Sequence, residues 1–135
     1  MSPSNGRPAV RDWKAHSVEG VFLRFVVHEN RLFRGKPVYE WLLLEARKLG
    51  IPGGCAFRGI CGYGRHGVLH EEHFFELAAA LPVEVRFVCS EEQAGGLLDA
   101  VEEAELSLFY ALSPTRYGVA GVEKDEWSTV MPPMF

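Results

Sequence analysis

Two stretches of this chain leave little freedom in how it can fold. From Val18 to Glu29 the side chains alternate, with Val21, Leu23, Phe25 and Val27 to one side and Phe22, Arg24, Val26 and His28 to the other. Val83 to Cys89 repeats the pattern, setting Val83, Val85, Phe87 and Cys89 against Glu84, Arg86 and Val88. A period of two predicts strands that each bury one face. The second of these strands runs directly into Ser90, with Gln93 three residues on, a capping box that opens a helix striped by Ala94, Leu97, Leu98 and Val101. After the first strand, Gly35-Lys36-Pro37 punctuates the chain, and Pro37 suits the first helical position. Val38, Trp41, Leu42, Glu45 and Leu49 then form one stripe, which Gly50 and Pro52 bring to a stop. Further strands over 55–61 and 106–112 complete the order strand, helix, strand, strand, helix, strand. The expected fold is α+β and ferredoxin-like: one antiparallel sheet with both helices on one face.

Two helices cover only one side of such a sheet. By parity along each strand, Phe22, Val26, Ala56, Ile60 and Val88 fall on the other. Burying each contributes on the order of 1–3 kcal/mol, and so large a patch is seldom left open on a monomer. A homo-oligomer is the expected cover. Arg24, Arg58 and Arg86 share that second face by the same parity, and are expected to pair with Glu84 and with carboxylates of neighbouring subunits, or to hold an anion near the interface.

Charge and composition exclude several classes. A formal net charge of -4, with acids and bases interspersed, is not that of a general nucleic-acid binder. The start, residues 1–17, is polar and broken by Pro3, Gly6 and Pro8, so it reads as a flexible arm rather than a signal peptide. The most hydrophobic run, Val21 to Val27, is short and interrupted by Arg24, so no direct membrane insertion is expected. Cys55, Cys61 and Cys89 have no CxxC spacing and fit free thiols in a reducing cytoplasm better than a metal cluster. One domain over 18–121 is expected, followed by a tail over 122–135, with a short added hairpin somewhere beyond residue 112.

The segment from 63 to 82 is long for a connection between neighbouring strands, and such loops are usually functional. It opens on Gly62-Tyr63-Gly64-Arg65-His66-Gly67, whose glycines let backbone N–H groups approach an anion while Arg65 adds charge. His66, His70 and His73 lie close together and make a metal-binding or metal-tolerance protein the alternative reading, although Glu71-Glu72 and Phe74-Phe75 also suit a solvated surface helix. No serine or cysteine stands in a nucleophile elbow and no carboxylate pair marks a rigid site, so an enzyme is not expected.

An ordered set of short motifs resembles one family. His28-Glu29, Gly35-Lys36-Pro37-Val38-Tyr39, Ala46-Arg47, Gly50-Ile51-Pro52-Gly53, Arg58-Gly59-Ile60-Cys61-Gly62-Tyr63-Gly64 and Leu81-Pro82-Val83-Glu84-Val85 follow in sequence. This is similar to the PII-like proteins of domain of unknown function 190, over about residues 18–112, and more distantly to the nitrogen-regulatory PII proteins. The resemblance implies a homotrimer that signals, with an adenine nucleotide (AMP, ADP or ATP) as effector in clefts between subunits. It also implies that the loop 65–81 contacts a regulatory target protein, with a membrane transporter the suggested class. Carried over, the nucleotide-binding residues are Gly53, Gly62, Tyr63, Gly64, Arg65, His66 and Arg86, with Arg34, Lys36 and Arg116 as phosphate contacts. Two features depart from PII proteins proper. Their second glycine-rich phosphate loop is here the acidic Glu102-Glu103-Ala104-Glu105-Leu106, and no tyrosine lies between Arg65 and Leu81 to be modified.

Overall fold

The structure, a computed structural model, describes residues 12–63 and 81–129. Its centre is an antiparallel pair, β1 (Val18–His28) and β5 (Pro82–Cys89), in register from Val21 opposite Cys89 to His28 opposite Pro82. β6 (Phe109–Tyr117) pairs with the other side of β1, and β4 (Gly54–Arg58) with the other side of β5, giving the antiparallel order β4-β5-β1-β6. β2 (Leu32–Phe33) and β3 (Lys36–Pro37) make a separate small hairpin between β1 and the first helix, α1 (Val38–Lys48). The second helix, α2 (Glu91–Glu103), leaves β5 directly. This is the ferredoxin-like arrangement that the alternation and the helical stripes predict.

The core is built as the patterning requires. Leu23, Phe25, Val85, Phe87 and Cys89 of the central strands are essentially sealed against Val38 and Leu42 of α1 and Ala94 and Leu97 of α2. Phe25 and Phe87 meet edge to face at 6.4 Å. The buried row of α1 is Val38, Leu42 and Ala46; Trp41 and Glu45 lie half-buried at its margin and Leu49 is exposed. Pro37 stands at the N-cap, one place earlier than expected, and the first helical amide, on Val38, donates to the Arg31 carbonyl at 2.8 Å. Gly50, at φ 79°, ends α1 by letting the Ile51 amide reach back to the Ala46 carbonyl.

Ser90 Oγ accepts from the Gln93 amide and Gln93 Oε1 from the Ser90 amide, both at 3.0 Å, so the capping box is fully formed. Gln93 Nε2 also donates to the Gly50 carbonyl at 3.1 Å, which ties the start of α2 to the end of α1.

Several strand expectations need correction. β4 stops at Arg58, so Gly59, Ile60 and Cys61 lie beyond it and Ile60 is almost fully exposed. Its register also reverses the expected parity: Ala56 lies opposite Val85 and Arg58 opposite Val83, on the helix side, while Cys55 and Phe57 take the open face. Glycines at 53, 54 and 59 removed the apolar markers from which the face of this short strand had to be judged. The last strand runs from Phe109 to Tyr117 rather than over 106–112, carrying Ser113 and Pro114 inside it, as an edge strand can. No added hairpin lies beyond it among the described residues; a 3-10 turn, Lys124–Thr129, follows, and the extra hairpin is β2–β3.

The sheet's uncovered face therefore carries Phe22, Val26, Val88, Phe57 and Phe109, with Arg24 and Arg86 directly opposite each other at its centre.

Loss of the cap should be felt across both helices. Ser90→Ala is expected to lower the unfolding free energy by about 1 kcal/mol. Gln93→Ala, which also frees the Gly50 carbonyl, should lower it by about 1–2 kcal/mol. Urea titration of each variant at one fixed protein concentration measures both; no loss for Gln93→Ala would mean that the helix ends do not depend on each other.

Candidate functional site

Where β4 leaves the Pro52-Gly53 turn, the open face of the sheet dips into a cavity of about 310 Å³. Phe22, Phe57, Val88 and Tyr117 supply apolar walls, Gly53 and Gly54 a bare backbone edge, and Arg86 the charge. The glycine at 54 is required by packing: a Cβ there would stand 2.5 Å from the Phe87 ring. Close approach also fixes Tyr117, whose ring crosses β1 at Gly20, where a Cβ would collide with it at 2.5 Å. Tyr117 in turn packs against Trp127, with ring centroids 6.2 Å apart.

Arg86 is aimed by two neighbours. It pairs with Glu84, two residues away on the same face, and its guanidinium lies 4.4 Å from the centroid of the Phe57 ring. Arg24, opposite it, rests 5.1 Å from the Phe22 ring and has no carboxylate partner among the described residues. Two cations thus face each other across β1 and β5 with one carboxylate, Glu84, beside Arg86, which favours an anion beside the cavity.

The Cys55 thiol lines the same cavity. Burial raises its pKa, and the opposing pull of Arg86 is the smaller effect, so the thiol stays protonated at neutral pH and is a poor nucleophile. Burial likewise raises the Cys89 thiol and the Tyr117 phenol, the latter with a lesser contribution from Cys89. These groups line or back an apolar pocket rather than form a reactive pair.

The base of the long connection is clamped beside β4 and β5. The Gly59 amide donates to the Pro82 carbonyl at 2.7 Å and the Glu29 amide to the Leu81 carbonyl at 3.1 Å. Arg58 pairs with Glu29, so it serves this clamp rather than the open face on which strand parity had set it. Glu29 Oε2 is buried without a hydrogen-bond partner in the described structure.

The expected site residues separate into groups. Gly53 and Arg86 are brought together in the cavity. Gly62 and Tyr63 lie beyond the end of β4, with Tyr63 largely exposed. Arg34 and Lys36 line a second cavity, between the β2–β3 hairpin and α1. Arg116 is engaged elsewhere: it donates to Ser17 Oγ at 3.1 Å and to the Lys14 carbonyl at 3.0 Å, pinning the chain that enters β1. Gly64, Arg65, His66, His70 and His73 lie outside the described residues, and with them the proposed histidine ligands and all of the loop 65–81 but Leu81. Among the described residues no cluster of histidine, cysteine and carboxylates could hold a metal, and no helix is long and apolar enough to cross a membrane. Sequence reading missed Phe57 and Tyr117 as cavity walls: the expected parity puts Ala56 on the open face where the register puts Phe57, and Tyr117 lies past the expected end of its strand.

Comparison with known proteins accounts for this architecture. The family model DUF190, described as Uncharacterized ACR, matches residues 20–109. A UPF0166 protein of Aquifex aeolicus is 34% identical over 85 residues, 63% of this chain and 81% of the relative. The UPF0166 protein MJ1524 of Methanocaldococcus jannaschii is 31% identical over 86 residues, 64% of this chain and 79% of the relative. Among solved structures, CPII, a nitrogen regulatory PII-like protein from Thiomonas intermedia K12 bound to ADP, AMP and bicarbonate, superposes with a TM-score of 0.58 at 16% identity, over 76% of this chain and 92% of that one. A Thermus thermophilus protein described as PII-like (TTHA0516) gives 0.51 at 15% identity, over 76% and 91%. The chain belongs to the DUF190 family, and its fold is that of the PII-like ferredoxin-fold proteins.

Proposed function

We propose that this protein is a non-enzymatic PII-like regulator: a homotrimer that binds an adenine nucleotide where the Gly53–Arg86 cavity of one subunit meets the next, and that reports its state to a target protein through residues 65–81. The observation that carries the reading is the cavity itself. It joins apolar walls, bare backbone at Gly53 and Gly54, and a fixed guanidinium in one place on the sheet face opposite α1 and α2. An adenine ring fits the apolar walls, and Arg86 with Arg24 suits the phosphates. CPII, which shares the fold, is a protein bound to ADP and AMP.

A second copy is the natural cover for Phe22, Val26, Phe57 and Phe109, which share one sheet face with Arg24, Arg86 and Glu84. The phosphate contacts differ from those of PII proteins proper. The chain leaves α2 through Glu102, Glu103 and Glu105, and Glu105 itself takes a left-handed φ of 58° with the Leu106 amide bonded back to Val101. That corner is acidic and sits at the negative end of a helix, which repels phosphate. In this reading the charge for an anion comes from Arg86 and Arg24 on the sheet face and from Arg65, with Arg34 and Lys36 as further phosphate contacts.

Sedimentation equilibrium at micromolar concentration should give a trimer, and Val26→Asp, which sets a carboxylate into the uncovered face, should dissociate it. A monomeric wild-type protein would remove the assembly and the shared cleft together. Titration calorimetry with ADP should give one site per subunit. Arg86→Ala should weaken that binding by about 1.5–3 kcal/mol, the range for a charged hydrogen bond. Adenosine should lose much less by the same change. Equal losses for both would confine Arg86 to the cavity wall and refute its phosphate role.

A further inference from the structure

The cavity between the β2–β3 hairpin and α1 holds Arg34 and Lys36, offered from sequence as phosphate contacts, apart from the Gly53–Arg86 cavity and among neighbours of a different chemistry. The turn that builds it is Arg34-Gly35, with φ of 51° and 81°, the two consecutive left-handed residues that a two-residue hairpin requires. The turn lays Phe33 against Trp41 of α1, with ring centroids 5.2 Å apart and planes at 67°, and stacks the Arg34 guanidinium 4.9 Å from the Phe33 centroid. On α1, Trp41, Leu44, Arg47 and Lys48 recur at helical spacing and face the same hollow, which measures about 570 Å³.

Its floor is apolar and its rim is cationic. Phe33, Trp41 and Leu44 make the floor, and Leu44 is 37% exposed. Arg34, Lys36, Arg47 and Lys48 stand around it. The lone acid there, Glu45, is already bonded to Lys48 at 2.9 Å, while Arg34, Lys36 and Arg47 have no carboxylate partner among the described residues. In a chain whose net charge is -4, four of the 14 basic side chains line this one hollow.

We propose that this cavity docks an acidic segment of a partner protein, one that inserts an apolar side chain against Trp41 and Leu44 and sets carboxylates against Arg34, Lys36 and Arg47. Charge complementarity selects the partner's sign and the apolar floor selects its kind. The cations come from two elements, the hairpin and α1, along a hollow of about 570 Å³ that a single small anion would not fill and whose apolar floor it would leave unused. The chain's acidic balance disfavours nucleic acid. The contact is separate from the Gly53–Arg86 cavity and stands whether or not a nucleotide binds there.

The test is fluorescence anisotropy of the full-length protein with a labelled nine-residue peptide, seven glutamates with leucines at the fourth and seventh places. Saturable binding is expected, weaker for an all-glutamate peptide. The charge reversal Lys36→Glu with Arg47→Glu should weaken binding on the order of tenfold or more. Leu44→Ser should weaken it while leaving the salt dependence unchanged. Both variants alter exposed positions, and circular dichroism verifies that the fold is kept. The proposal is overturned by the absence of saturable binding up to a millimolar peptide concentration, by binding that survives the charge reversal, or by displacement with equimolar pyrophosphate, which would make the hollow a simple anion site. Displacement by ADP would overturn it as well, by placing a nucleotide there.

Discussion

Everything in this molecule hangs on the ladder between β1 and β5. Its inward side chains, Leu23, Phe25, Val85, Phe87 and Cys89, are among the most deeply buried of the described residues, and both helices pack on them. Its outward side chains form the middle of the uncovered face, including the opposed Arg24 and Arg86. A slip of one residue in this register would set the inward side chains of one strand on the face with the outward side chains of the other, burying one of the two arginines under the helices and turning that strand's apolar set outward. The ladder is thus specified from both sides at once, by what can be buried and by what cannot.

The functional features are placed by departures from that regular frame. The candidate nucleotide cavity lies where β4 begins in glycines and leaves an edge of bare backbone beside Phe87. The long connection departs where β4 ends, under a clamp made by Glu29, Arg58, Gly59 and Pro82. The cationic hollow lies where the chain makes an additional hairpin before α1. In each case a rigid element holds one wall and an irregular segment supplies the other, an arrangement that lets recognition vary without disturbing the core.

How much could be read in advance follows the same division. The two long strands and both helices were legible because their periodicity is dense and their ends carry caps; the Ser90–Gln93 box is found where its spacing puts it. β4 was legible in place but not in face, since glycine has no side chain to reveal direction, and the open-face position expected for Ala56 belongs to Phe57. The extent of β6 was obscured by Pro114, which reads as a strand end unless the strand is known to be an edge. The hairpin at Leu32–Pro37 was hidden because its left-handed turn begins with arginine, where asparagine or glycine would have announced it. Of the candidate site, Gly53 and Arg86 were reached through family resemblance. Phe57 and Tyr117 depend on a register that only the fold supplies.

The position of β1 also governs the order in which the protein can acquire its structure. β1 is made early, yet the two strands that flank it, β5 and β6, come from the second half of the chain, with Val18 finding its partner only at Tyr117. On the ribosome, the first strand and α1 therefore emerge with no sheet to join, and the segment bearing Leu23 and Phe25 waits unpaired until most of the sequence has been synthesised. Contacts of such long range slow folding and prolong the exposure of a sticky strand. Arg24, set in the middle of that apolar run, interrupts it during the wait, so the same residue that charges the finished sheet also guards the unfinished one against its neighbours.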